Sequence, residues 1–248
     1  MKAIILGIVQ GLTEFLPISS SGHLVLLKIL MGLKTPGVIL EVSLHFGTLL
    51  AIITYFRKRI LSYLTKERIS LIIIGTLPIF FVGLLLKDKI ELMFTNPILV
   101  LSMLFITGSM LLLTLKEKFG GKLNIKTAFI IGIAQSVALI PGISRSGFTV
   151  ATALMLGIER EESFEFSFIL AIPALLGAFT LELINFKFIE LNYIQLINGT
   201  IAAFLIGLFA LWVFYKSIKK KNLYYFTYYL YFVSVTGILL FLSSRSPF

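Results

Sequence analysis

Two polar stretches interrupt an otherwise apolar chain, and their residue types suit phosphate chemistry. Residues 10–23 read QGLTEFLPISSSGH and residues 135–149 read QSVALIPGISRSGFT. Gln10 and Glu14 lie four apart and so share one helix face. Ser19, Ser20, Ser21 and Gly22 offer hydroxyls and free backbone N–H groups where a helix can start, and Ser144, Arg145, Ser146 and Gly147 do likewise in the second stretch. Helix N-termini of this kind bind phosphate, and a guanidinium fork suits phosphate oxygens. His23 stands three residues after Ser20, on the same side of a helix. Together these groups suit hydrolysis of a phosphate or diphosphate. Glu14, with Gln10, would hold a hard divalent cation such as Mg²⁺, which commonly combines one or two carboxylates with substrate phosphates. Arg145, Ser144 and Ser146 would stabilise charge on the phosphoryl group. Either Ser20 attacks with His23 as its base, or His23 attacks directly; the spacing leaves both open.

Each candidate has a plainer alternative. Glu14 and Arg145 can staple two segments together, the serines can cap helices, and Gln10 and Gln135 can each make a helix-packing hydrogen bond. An ionisable group within a membrane segment is nevertheless costly, about 2.5–3.5 kcal/mol for Asp, Lys or Arg on the insertion scale, and points to function. His45 lacks polar company and reads as a packing residue. Glu41 and Glu165 start long apolar runs, where an acid favours the helix dipole. Glu159, Arg160, Glu161 and Glu162 read as a solvated loop.

Composition dictates where these groups must sit. The chain has 248 residues, of which 58% are hydrophobic and 14% charged, with a mean hydropathy of +1.00; soluble domains average about 25% charged residues. Lipid tolerates only helices or closed barrels, and these apolar runs are too long for strands, so the expected class is an all-α integral membrane protein. The net charge of +10 does not indicate a nucleic-acid partner, because the Lys and Arg fall in short loops between apolar runs. The absence of Cys excludes thiol catalysis and disulfides.

Residues 3–16 form an apolar helix ended by Pro17 and the SSSG run. At about 1.5 Å per residue it reaches about 21 Å, short of a hydrocarbon core of about 30 Å. A second short limb, about 22–32, completes a re-entrant helical hairpin. Full-length spans are expected at about 41–56, 69–86 and 97–115. The pattern then restarts, with a broken pair at 127–140 and 144–156 and spans at about 164–183, 195–215 and 224–243. At an offset of 125, residues 7–23 match residues 132–148 at Gly7, Ile8, Gln10, Ile18, Ser19, Ser21 and Gly22, while Glu14, Ser20 and His23 face Leu139, Arg145 and Phe148. The repeat continues at an offset of 124, where Glu41-Val-Ser-Leu parallels Glu165-Phe-Ser-Phe, and Gly75-Thr76 with Gly83 parallels Gly199-Thr200 with Gly207. The chain therefore reads as one membrane domain, 1–248, made of repeats at about 1–124 and 125–248.

Basic residues crowd the loops at 57–68, 116–126 and 216–222, which should be cytoplasmic; the loops at 87–96 and 184–194 carry fewer and fall outside. Three spans per half is an odd number, so the halves insert with opposite orientation. The expected architecture is an inverted-topology repeat of six transmembrane helices plus two re-entrant helical hairpins that meet near the midplane. A lipid-phosphate transporter or flippase is the alternative such symmetry suggests, although Glu14 and His23 have only Leu139 and Phe148 as counterparts. The Gly-rich spans leave a homodimer open beside a monomer.

Gln10-Gly-Leu-Thr-Glu14, Pro17-Ile-Ser-Ser-Ser-Gly-His23 and Pro141-Gly-Ile-Ser-Arg-Ser-Gly-Phe-Thr149 resemble the signature motifs of the undecaprenyl-diphosphate phosphatases, also called bacitracin-resistance proteins. The resemblance extends along essentially the whole chain, including Glu165-Phe-Ser-Phe and Pro173. It implies a multi-pass enzyme of the bacterial cytoplasmic (inner) membrane, its site open to the outer face, that converts undecaprenyl diphosphate to the monophosphate with Mg²⁺ or Ca²⁺. That reaction recycles a lipid carrier for peptidoglycan synthesis and confers bacitracin resistance. By motif position it makes Glu14, Ser20, His23 and Arg145 the catalytic candidates, with Gln10, Ser19, Ser21, Ser144, Ser146 and Thr149 in support. Gln10 stands where some members have an acid and is a neutral, poorer cation ligand.

Overall fold

Residues 2–32, 38–117, 119–184 and 193–243 are described by a computed structural model, and among them every regular element is helical. Two short helices open the chain, α1 (Lys2–Phe15) and α2 (Ser20–Leu30). Pro17 closes α1, and Ser19 caps α2 by accepting a hydrogen bond from Gly22 N at 3.3 Å. The second polar stretch is built alike. Helix α7 (Ile125–Val137) starts on an Asn124–Thr127 capping box, and α8 (Arg145–Met155) starts on Ser144, whose Oγ accepts from Gly147 N at 3.1 Å. Serine oxygens thus satisfy an orphan N–H at both helix starts.

Between and after these pairs run α3 (Val38–Ser62), α4 (Lys66–Leu85), the short α5 (Lys87–Met93), α6 (Pro97–Leu113), α9 (Arg160–Ile184), α10 (Tyr193–Lys219) and α11 (Tyr225–Ser243). Six of them contain stretches long and apolar enough to cross a membrane, from Ile39–Ser62 to Tyr225–Ser243. Their outward faces carry exposed Ile73, Phe80 and Phe81 on α4 and Leu239 and Leu240 on α11. Such faces suit lipid rather than water, and the protein is a multi-pass membrane protein.

The short pairs are exchanged between the halves of the sequence. Helix α1 packs along α10 and α7 along α4. The approach is close: a Cβ on Gly7 would overlap the Gly199 carbonyl, and one on Gly132 would overlap that of Gly75. Small residues at these crossings let backbones touch, the usual device where lipid offers no hydrophobic drive to helix association. Beneath α1, Phe15, Phe56, Phe164, Phe168 and Phe214 form a buried aromatic cluster, with the Phe164 and Phe168 ring centroids 4.8 Å apart.

Several boundaries differ from expectation. Helix α3 runs on to Ser62 and α10 to Lys219, so much of the basic character assigned to loops 57–68 and 216–222 lies on helix ends, where long side chains keep their charge in the headgroup region. The 87–96 loop contains α5. The 184–194 loop and Lys118 lie largely outside the described residues. Glu159–Glu162 is not a free loop. Helix α9 starts there, and Arg160 pairs with Glu117, Glu161 with Lys219 at 2.5 Å and Glu162 with Arg68 at 2.8 Å. Glu165 pairs with Arg59 at 2.8 Å and Glu41 with Lys28 at 2.5 Å; Glu41 sits in the first turn of α3, as expected, whereas Glu165 lies past the first turn of α9. These bonds gather the three basic connections at one end of the bundle. Gly121 N, donating to the Gly157 carbonyl at 3.0 Å, brings the start of α7 and the end of α8 to that same end.

Candidate active site

The two polar elbows touch. Ser19 Oγ donates to the Ile143 carbonyl at 3.3 Å, Gly142 N to Ser21 Oγ at 3.4 Å, and Ser146 Oγ to the Leu16 carbonyl at 3.3 Å. Thr107 on α6 clamps the second elbow, donating to the Gly142 carbonyl at 2.9 Å while accepting from Ser144 N at 3.1 Å. The N-termini of α2 and α8 therefore converge, and both present positive dipole ends to the junction.

Glu14 is the hub. Its Oε1 accepts from Arg145 Nη2 at 2.6 Å; its Oε2 accepts from Ser20 Oγ at 2.6 Å and from Gln10 Nε2 at 3.2 Å. Glu14 is 8% exposed and Gln10 fully buried, and the Glu14 carboxylate is neutralised by the Arg145 guanidinium rather than by water. Arg145 keeps one buried guanidinium nitrogen, Nη1, without a partner, and Gln10 keeps its Oε1 likewise. Buried polar groups are normally paired; these two, like both amide atoms of Gln135 and the Ser167 hydroxyl, have no hydrogen-bond partner among the described residues. Arg145 thus has one donor to spare and Gln10 one acceptor.

His23 stands apart from Ser20's hydroxyl. Its Nδ1 lies 2.8 Å from the Ser19 carbonyl, which can only accept, so Nδ1 carries the proton. Its Nε2 lies 2.8 Å from Tyr229 Oη on α11, and the two rings stack at 5.6 Å. The hydroxyl of Ser20 therefore has Glu14, not His23, as its proton acceptor. Ser144 and Ser146 are buried and bond each other at 3.2 Å. Thr149 donates to the Arg145 carbonyl at 2.8 Å and is fully buried, which holds the start of α8 from behind.

Three participants were not foreseen. Thr107 and Tyr229 come from distant helices and carry no local signal in the sequence. His45, read as a packing residue, lies 3.0 Å from Gln10 Nε2 through its Nδ1. The signal that could have found it is the repeat, which places Ile169 at the matching position, in the half whose glutamine is not followed by an acid.

Residues 3–236 match the family described as bacitracin resistance protein BacA. The chain belongs to this family. Relatives of similar length extend the match. It is 41% identical over 251 residues to an undecaprenyl-diphosphatase of Carboxydothermus hydrogenoformans, covering 96% of each chain. It is 42% identical over 250 residues to one of Thermosipho melanesiensis, covering 96% of this chain and 98% of the relative. With one of Rhodopirellula baltica it shares 40% over 239 residues, covering 92% and 93%. The BacA match spans α1 through most of α11, and so takes in both elbows and Tyr229.

Proposed function

We propose that this chain is a membrane phosphatase that hydrolyses undecaprenyl diphosphate to undecaprenyl phosphate and inorganic phosphate, recycling the lipid carrier for cell-wall synthesis. Its family and full-length relatives support the substrate. The observation that carries the chemistry is Glu14 held between Arg145 and Ser20, with Arg145 Nη1 left unpartnered.

Ser20 Oγ, hydrogen-bonded to a carboxylate, is the nucleophile and Glu14 its base. Ser20 Oγ bonds to the terminal phosphorus, the anhydride P–O bond breaks, and undecaprenyl phosphate leaves. Water then cleaves the phosphoserine: Glu14 returns its proton to Ser20 Oγ, and the proton displaced from water passes to solvent. Arg145 Nη1 and the α2 and α8 N-termini meet the phosphoryl oxygens, where charge stabilisation is the main work of phosphoryl transfer. His23, fixed by Ser19 and Tyr229, lines the open side of the site.

A bound Mg²⁺ or Ca²⁺ would supply charge neutralisation on the diphosphate. Among the described residues no three or more His, Cys, Asp or Glu stand together to hold a metal. One carboxylate, Glu14, beside one unpartnered amide oxygen, Gln10 Oε1, does fit a cation whose remaining ligands are phosphate oxygens and water.

The exchange of α1–α2 and α7–α8 between halves supports an inverted-topology repeat over 1–124 and 125–248, with both pairs re-entrant. Positive-inside counting supports a basic end that faces the cytoplasm from a bacterial inner membrane, with the α1–α2 mouth toward the outer face. Phosphate release from undecaprenyl diphosphate by purified protein in detergent, with Mg²⁺ and then with EDTA, tests the function. Metal-dependent release by the native protein, absent from folded Glu14→Ala and Arg145→Ala, is expected. No release under any metal from protein that still binds the lipid overturns it.

A further inference from the structure

We propose that His45 is a positioning residue that fixes the orientation of the Gln10 amide against Glu14, the carboxylate proposed above to hold the cation. The inference rests on the phosphatase reading above. Its logic is one of donors and acceptors. Glu14 is ion-paired with Arg145 at 2.6 Å, so its oxygens accept. The Gln10 atom 3.2 Å from Glu14 Oε2 must then be the NH₂ group; a carbonyl oxygen there would face a carboxylate oxygen with no proton between them. That NH₂ has a second hydrogen, and the atom 3.0 Å away on the other side is His45 Nδ1. Nδ1 therefore offers a lone pair, and the ring's proton sits on Nε2.

With His45 accepting from Nε2, the amide is held with its nitrogen between Glu14 and His45. Oε1 is left as a fully buried acceptor with no partner, on the same amide as a nitrogen that touches Glu14. Without His45, an amide in this place loses one of its two anchors and can turn away from the Glu14 carboxylate that the cation would use. The second repeat supports the assignment. There Ile169 replaces His45, Leu139 replaces Glu14, and Gln135 is buried with neither amide atom partnered. His45 thus occurs only in the half that carries the acid. The same reasoning gives the chain's two histidines opposite tautomers: His23 holds its proton on Nδ1, against the Ser19 carbonyl, and His45 holds its proton on Nε2.

Two measurements test this. In protein labelled with ¹⁵N-histidine and held in detergent at about pH 8, above the ordinary imidazole pKa of about 6.5, ring nitrogen–proton correlations report each tautomer without substrate or metal. The His45 signals are identified by their loss in His45→Asn. The expected result is one ring of each tautomer. A proton on His45 Nδ1 overturns the inference, whatever the activity. The second measurement is phosphate release as a function of Mg²⁺ in His45→Phe and His45→Asn. Phe removes the acceptor and should raise the Mg²⁺ concentration for half-maximal activity about tenfold. Asn, whose Oδ1 can stand where Nδ1 stood, should restore most of that loss. Equal Mg²⁺ dependence in the native protein and His45→Phe overturns the proposal while leaving the phosphatase reading intact. A native protein inactive under every metal overturns the phosphatase reading, and the tautomer result then stands by itself.

Discussion

Arg145 and Glu14, 131 positions apart, meet at 2.6 Å and are the single ionic link between the two polar elbows among the described residues. Their side chains are 14% and 7% exposed. Removing one partner of such a pair leaves an uncompensated buried charge, at a cost of about 3–5 kcal/mol. Arg145→Ala should therefore lower thermal stability as well as activity, the latter by about 10³-fold or more, as expected for an arginine that stabilises a phosphoryl transition state. Arg145→Lys keeps a point charge but not the second nitrogen, and should recover stability far better than turnover. Melting curves and phosphate release, measured together, separate the two effects.

Ser20→Ala tests the nucleophile. Glu14 keeps its bonds to Arg145 and Gln10, so the fold should be little changed, while phosphate release should fall by at least about 10³-fold. Acid-quenched native enzyme should carry phosphate on Ser20, detectable by peptide mass spectrometry. A Ser20→Ala enzyme within tenfold of the native rate would remove Ser20 as the nucleophile and leave the attack to His23 or water.

Tyr229→Phe removes one hydroxyl while keeping the stacked ring on His23. One hydrogen bond of about 1 kcal/mol predicts a loss of up to about fivefold in kcat/KM. Tyr229→Ala loses the stack as well, freeing the ring to turn, and should cost clearly more. Equal rates for all three proteins would remove Tyr229 from the site.

Gly142 closes the second elbow with φ +96°, and a Cβ there would overlap the Val100 carbonyl. Gly142→Ala should destabilise by about 1–3 kcal/mol from backbone strain alone, lower the melting temperature, and impair catalysis by moving Ser144 and Arg145. On the other elbow Ser19 holds φ 71° although it is not glycine; strained backbone of this kind gathers where a site needs it. Ser19→Gly should relieve that strain but lose the cap on α2, which its Oγ now provides.

How much of this could be read from residues alone depended on whether the partners were local or repeated. Glu14, Ser20 and Arg145 stood out because the two elbows share a pattern, to which Gln10 belongs, and differ at those positions. Roles were harder. The step from Ser20 to His23 looked favourable by helical spacing, yet an acid six residues earlier accepts the Ser20 hydrogen bond because the chain folds back at Pro17. Tyr229, 206 positions from His23, sits in a Tyr-rich run where no tyrosine is distinguished. His45 looked apolar in company because its polar partner lies on another helix. The spans themselves were legible from hydropathy, but their basic ends were misassigned to loops, since lysine and arginine stems extend helices into the headgroup region.

The absence of cysteine makes the topology directly testable. Single cysteines at Lys58, Lys122 and Lys220 would report the basic end of the bundle; Asp88 and Leu30 would report the other. Leu30 ends α2 and is 84% exposed, whereas Lys122 precedes α7. If both short pairs are re-entrant from opposite sides, a membrane-impermeant maleimide applied to spheroplasts should label Asp88→Cys and Leu30→Cys. Lys58→Cys, Lys122→Cys and Lys220→Cys should label only after permeabilisation. Labelling of Leu30→Cys from the cytoplasmic side alone would mean that α1–α2 crosses the bilayer once as a broken helix. The Glu14–Ser20 site would then lie on a path through the membrane rather than at the bottom of a pocket open to one face.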